Sequence, residues 1–179
     1  MIDNVHLKKL NKMNEPSVYK NYFENYTSLV SEKNIITAFA NQAKILDDFL
    51  VSISEEKSLY AYAEGKWTLK EMLQHIIDTE RIFTYRALAI ARKETATLPG
   101  FDENLYADNC DANRRTWAEL GKEIKIVRNS TSLLFESFTE EMLETNGNFG
   151  SCNAFVNTIG FILVGHIYHH IKIAQERYF

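Results

Sequence analysis

An all-helical fold is what this sequence predicts, and three observations carry the prediction. Apolar residues recur at steps of three and four over four long stretches, the period of a helix with one buried stripe. Only two prolines and seven glycines occur in 179 residues, and the glycines fall mostly between those stretches. There is no internal repeat and no low-complexity tract, so the length reads as one ordinary domain, large enough to bury a core without staples. We divide it into an N-terminal extension, residues 1–33, packed on the helices, and a helical body, residues 34–179.

The extension carries Tyr19, Tyr22, Phe23 and Tyr26, a spacing suited to a short helix or to an arm wrapped on the body. In the first stretch Ile36, Phe39, Ala43, Leu46, Leu50 and Ile53 line one stripe, which predicts a core-facing helix over Asn34 to Ser54. The second begins at Thr68. Its hydroxyl can cap the helix while Glu71 reaches back, and Trp67 can pack on Met72 across the same turn. Its stripe runs Met72, His75, Thr79, Ile82, Arg86, with an end near Arg92, before Pro99 and Gly100.

The third stripe is Trp117, Leu120, Ile124, Val127, Thr131, Leu134 and Phe138, whose alternation of three and four predicts coiled-coil-like packing. The fourth is Val156, Ile159, Leu163, His166, His170, Ile173 and Arg177. Short connections join the first stretch to the second and the third to the fourth. About twenty residues between the second and third leave room for a crossover.

Composition narrows the function. A net charge of −4 and a pI near 5.8 give no electrostatic case for nucleic acid. The run Phe155 to Gly165 is about half of the roughly 20 residues that span a bilayer, so it reads as a buried helix and no membrane role is expected. Met1 to Asn14 has no apolar core of signal-peptide length, which predicts a cytoplasmic protein. Cys110 and Cys152 have neither CxxC spacing nor a disulfide framework, and both read as free thiols.

The chemistry lies in the histidines. Positions i and i+4 of a helix lie about 40° apart in azimuth and about 6 Å apart along the axis, so His166 and His170 can share one ion. His75, from a second helix, completes a three-nitrogen site with an open position, the catalytic arrangement of protein zinc. A lone histidine on an apolar stripe is ordinarily a hydrogen-bonded core residue, but two adjacent buried rings need partners or a shared ion to offset desolvation. His169 falls at the rim, where it either shuttles protons or is simply solvated. Asp78, one turn after His75, can orient that ring or supply an oxygen, with Glu80 as a second candidate; the alternative is a surface acid pairing with Arg81 or Arg86. His-Glu-x-x-His, Glu-x-x-His, a serine elbow, a phosphate loop and a dinucleotide fingerprint are all absent. Imidazole nitrogen alone suits zinc, nickel, copper and iron alike.

Several passages carry a resemblance. They are Gly65-Lys66-Trp67-Thr68-Leu69-Lys70-Glu71 leading into His75, Asp78-Thr79-Glu80-Arg81-Ile82-Phe83 with Tyr85-Arg86-Ala87-Leu88, Leu98-Pro99-Gly100-Phe101-Asp102-Glu103-Asn104, and Gly165-His166 through His169-His170 to Glu176-Arg177-Tyr178. Together they resemble the DinB/YfiT-like superfamily of metalloenzymes over nearly the whole chain. The resemblance implies a four-helix bundle of up-down-down-up connectivity. It also implies a divalent metal on His75, His166 and His170, nickel or zinc foremost, with iron or manganese as alternatives.

The resemblance further implies activation of a low-molecular-weight thiol for S-transfer to an electrophilic small molecule. The alternatives are a metal-dependent hydrolase, and a non-enzymatic, stress-related metal-binding bundle. Exposed helix faces and the aromatic extension offer surface for a homodimer.

Overall fold

The computed structural model describes residues 23–149 and 152–179; His6, Tyr19, Tyr22 and the rest of the first 22 residues lie outside them. Four long helices joined by shorter elements form the body, beginning with α1 over Ile35–Ser52, a one-turn α2 over Glu55–Ser58 and the long α3 over Leu69–Ala91. After them come α4 over Glu103–Asn109, a 3-10 turn over Ala112–Arg114, α5 over Trp117–Glu136 and a one-turn α6 over Glu140–Leu143. A two-stranded hairpin, β1 over Asn146–Phe149 and β2 over Cys152–Phe155, leads into α7 over Val156–Arg177.

The helix starts follow from side-chain caps. Asn34 accepts from the Thr37 amide at 3.0 Å, and Thr68 and Glu71 form the reciprocal capping box at 3.1 and 2.7 Å. Thr116 and Glu119 repeat it before α5. Each satisfies amide groups that the first turn leaves without intrahelical partners.

Helix directions can be read from contacts between named residues. Arg81 meets Glu123 and Thr84 meets Thr131, so α3 and α5 run parallel. Trp117, at the start of α5, donates to the Leu50 carbonyl near the end of α1, so those two are antiparallel. Gln42 of α1 reaches Val164 of α7, while Tyr178 just beyond α7 reaches back to Trp67 just before α3. The connectivity is therefore up-down-down-up, with α1 opposite α3 and α5 opposite α7 on the diagonals. The crossover from α3 to α5 that parallel neighbours require occupies the long second connection, which carries α4.

Most of the predicted stripe positions on α1 and α5 are buried, but a few give way to the neighbouring residue. On α1 Gln42 is buried and Ala43 exposed; on α5 the buried side chains are Trp117, Leu120, Ile124, Arg128, Thr131 and Phe135, beside Gly121, with Val127 and Leu134 only half-buried. The buried set advances mostly by four, as a straight helix of 3.6 residues per turn does. A coiled coil would hold the 3.5 period. The connection between α5 and α7 is also longer and more structured than the sequence indicates, holding α6 and the hairpin. No helix among the described residues is long and apolar enough to cross a membrane.

Residues 23–27 are helical. Tyr26 is buried in the core, and Phe23 and Val30 pack against it. The backbone of this segment lies directly on α7: a Cβ added to Gly165 would sit 2.0 Å from the Tyr26 carbonyl oxygen. Gly165→Ala is therefore expected to lift the segment from the bundle, destabilising the protein by about 1–3 kcal/mol as overpacked sites do. Urea unfolding measures the loss, and limited proteolysis should show faster cleavage within residues 23–33.

Candidate metal centre

The antiparallel packing of α3 on α7 brings the three sequence-predicted ligands together. The Nε2 atoms of His75 and His166 are 3.1 Å apart, and those of His170 and His166 are 3.0 Å apart. One nitrogen from each of the three rings lies within 4.8 Å of the others. The rings meet edge to face, with centroids 4.5 to 5.0 Å apart. Among the described residues this is the group of histidine, cysteine and carboxylate side chains that could hold an ion, and it contains no carboxylate.

Direct hydrogen bonding cannot satisfy this arrangement. A ring nitrogen has one in-plane direction, occupied by a lone pair or by a proton, yet Nε2 of His166 faces two other nitrogens. A shared cation satisfies all three. Bonds of about 2.0–2.1 Å to one ion set two ligand nitrogens roughly 3.0–3.4 Å apart, and the two short separations fall in that range. The residues present fit a divalent metal.

Electrostatics prepare the rings for it. His166 and His170 are buried, 6% and 8% exposed, and burial, reinforced by the neighbouring rings, holds both well below the ordinary imidazole pKa of 6.5. Burial, with a smaller push from His169, brings His75 down to about 4. All three are neutral near pH 7, the state in which imidazole offers a lone pair to a metal.

His169 takes the rim position expected of it, half-buried, edge-on to Tyr26 at 5.2 Å and to His170 at 5.1 Å; burial lowers its pKa. Asp78 stands outside the ligand group. Its carboxylate accepts from Gln74 at 2.9 Å and faces Arg81 at 3.9 Å, and burial raises its pKa. Glu80 is fully buried and paired with Arg128 at 2.9 Å. Both thiols are free; burial raises Cys110 and takes Cys152 up to about 11, so neither ionises near neutrality.

Two aromatic residues that stand at the site have other parts in the sequence reading, Trp67 as a packing partner of Met72 and Tyr26 as part of the extension. The Trp67 ring tilts against His75, with centroids 4.9 Å apart; the Tyr178 hydroxyl donates to the Trp67 carbonyl at 2.7 Å and so ties the end of α7 to that loop. Tyr26 sets its ring edge-on to His166 at 5.4 Å. The only signal for Trp67 was its place just before the capping box, and Tyr26 lies too far along the chain for any spacing to relate it to the ligands.

Comparison with known proteins places these features in a wider set. A family model described as the DinB superfamily matches residues 38–174. A provisionally named metal-dependent hydrolase of Oceanobacillus iheyensis is 28% identical over 68 residues, 38% of this chain and 39% of that protein. The chain thus matches about two fifths of that curated relative's length. YfiT of Bacillus subtilis, whose structure is described as that of a probable metal-dependent hydrolase with an unusual four-helix bundle topology, superposes with a TM-score of 0.65. The identity is 14%, covering 79% of this chain and 85% of YfiT. At that identity the likeness concerns the fold.

In the unfolded chain the three rings titrate near 6.5. Below that value the unfolded state takes up protons that the metal-free folded state refuses, at His75 until about pH 4. Stability from this source is complete above pH 6.5 and falls as pH drops toward 4, by on the order of 3 kcal/mol from His75, with His166 and His170 acting in the same direction. Urea midpoints of metal-stripped protein should follow this course, and His75→Ala should flatten it.

Proposed function

The chain belongs to the DinB superfamily, and on that premise we propose that it is a metal-dependent enzyme activating a low-molecular-weight thiol for S-transfer to an electrophilic small molecule. One observation carries the reading: three neutral imidazoles converge with no carboxylate among them. When bound there, a divalent ion supplies a Lewis acid of undiminished 2+ charge that lowers the pKa of a thiol or water set against it. A thiol starts near 8.5 and needs little help to ionise at neutral pH. Water starts at 15.7 and needs a far larger drop, which zinc on three imidazoles can supply by bringing it to about 7. Among the described residues the ligand group holds no carboxylate, and two nearby acids are engaged, Asp78 by Gln74 and Arg81 and Glu80 by Arg128.

The chain's residues take the following parts. His75, His166 and His170 hold the ion, nickel or zinc by preference. Trp67 and Tyr26 wall two of the rings and exclude water from their faces. His169, neutral near pH 7 and half-exposed, accepts at its ring nitrogen the proton that the incoming thiol gives up. Asp78 takes no step. The same reading puts the protein in the cytoplasm, where small thiols stay reduced. The names of the Oceanobacillus and Bacillus relatives favour a second reading, hydrolysis by activated water on the same three ligands.

Purified protein is expected to carry about one divalent ion per chain by elemental analysis. His166→Ala should lose the ion and lower thiol conjugation to a general electrophile by about 100-fold or more while far-UV CD stays helical. Ester cleavage without thiol, in the absence of conjugation, would select the hydrolase. Metal-free protein of full activity would end both readings.

A further inference from the structure

The apolar core is cut in two, and the cut passes through all four long helices at the height of His166, about one turn from His75 and His170. On α1 one buried cluster ends at Phe39 and the other begins at Leu46, with buried Gln42 between them. On α3, Ile77 and Phe83 bracket Thr79 and Glu80; on α5, Ile124 and Phe135 bracket Arg128 and Thr131. On α7, Val164 and Ile167 bracket His166. A polar layer thus crosses the bundle, and a metal ligand is its member on α7.

Within the layer Arg128 reaches across the diagonal. Its Nη2 lies 2.9 Å from Glu80 Oε2 and 3.1 Å from the carbonyl oxygen of Leu163. From the neighbouring helix, Gln42 Nε2 donates to the Val164 carbonyl at 2.5 Å. Those carbonyls stand three and two residues before His166, and Glu80 stands five residues after His75. The bridge from Glu80 through Arg128 to Leu163 therefore ties together the two helices that carry the imidazoles, under one turn from His166 and rather more than one turn from His75.

Fold stability does not account for this layer. Taking both members of an ion pair out of water offsets most or all of their attraction, and apolar replacements of similar volume often serve as well or better. Five of its buried atoms also have no hydrogen-bond partner in the protein: Gln42 Oε1, Thr79 Oγ1, Glu80 Oε1, and Nε and Nη1 of Arg128. Buried atoms of that kind are met by internal water when several converge.

We propose that Arg128, with Glu80 and Gln42, is a positioning network for the metal centre, fixing the spacing and rotation of α3 and α7 so that the His75 and His166 nitrogens converge. The inference rests on the metal-site reading above.

Metal-stripped protein is titrated with Co2+, following affinity and the visible d–d spectrum, alongside urea unfolding of the metal-free chain. In the double variant Glu80→Leu/Arg128→Met, the metal-free midpoint should hold or rise while Co2+ affinity falls by about 10–100-fold and the spectrum shifts. Gln42→Leu, which removes one anchor and one unpartnered acceptor, should keep its midpoint and lose several-fold in affinity. Folded variants with the parental affinity and spectrum overturn the proposal. If the double variant does not fold, Gln42→Leu decides, and parental affinity there overturns it equally. Wild-type protein that binds no Co2+ would remove the metal reading and this inference together, whereas equal binding by wild type and variants removes this inference alone.

Discussion

The arrangement depends on the desolvation of three imidazole nitrogens that point at one another. Each ring has a single in-plane site at Nε2, and packing puts those sites 3.0 and 3.1 Å apart along two of the three pairs. In water such rings would separate and hydrate. Here α7 holds two of them on one seam and α3 supplies the third, so the contact is fixed by helix packing that the rest of the core stabilises. A cation is the one partner that answers all three lone pairs together.

That packing requires α3 and α7 to run antiparallel as neighbours, and the connectivity delivers it indirectly. Because α3 and α5 are parallel, the chain must travel the length of the bundle between them, and the segment around α4 does so. The last helix then returns against α3, and Tyr178 at its end fastens the loop whose Trp67 covers His75. The crossover, costly in chain length, leaves the loop before α3 and the end of α7 at the same end of the bundle, beside the ligands.

Much of this was legible because it is local. The i,i+4 pair of His166 and His170, the Thr68–Glu71 box and the four stripes all follow from helical geometry within one element. His75 could be joined to the pair because it shares a stripe with Met72 and Ile82. The misreadings have one physical source. A 3.5-residue pattern drifts from a 3.6-residue helix, so it set Ala43 and Val127 in the core where Gln42 and Arg128 lie. Polar residues at core positions look like surface to a hydrophobicity pattern. The hairpin is built on short polar letters, and Tyr26 reaches the site through a backbone contact that only Gly165 permits; neither leaves a periodic trace.

The residues that broke the pattern are the ones nearest the chemistry. An apolar core tolerates small rotations of one helix against another, because aliphatic side chains repack with little directional penalty. A metal site does not tolerate them, since ligand nitrogens must hold their places to within about half an ångström. Directional bonds resist such rotation: Glu80 to Arg128 to Leu163 joins the two ligand helices, and Gln42 to Val164 anchors one of them to α1. A core designed for stability alone would place leucines there. The stability forgone at that layer is the physical counterpart of the precision required at Nε2 of His75 and His166, which explains why the polar residues and the ligands occupy neighbouring turns of the same helices.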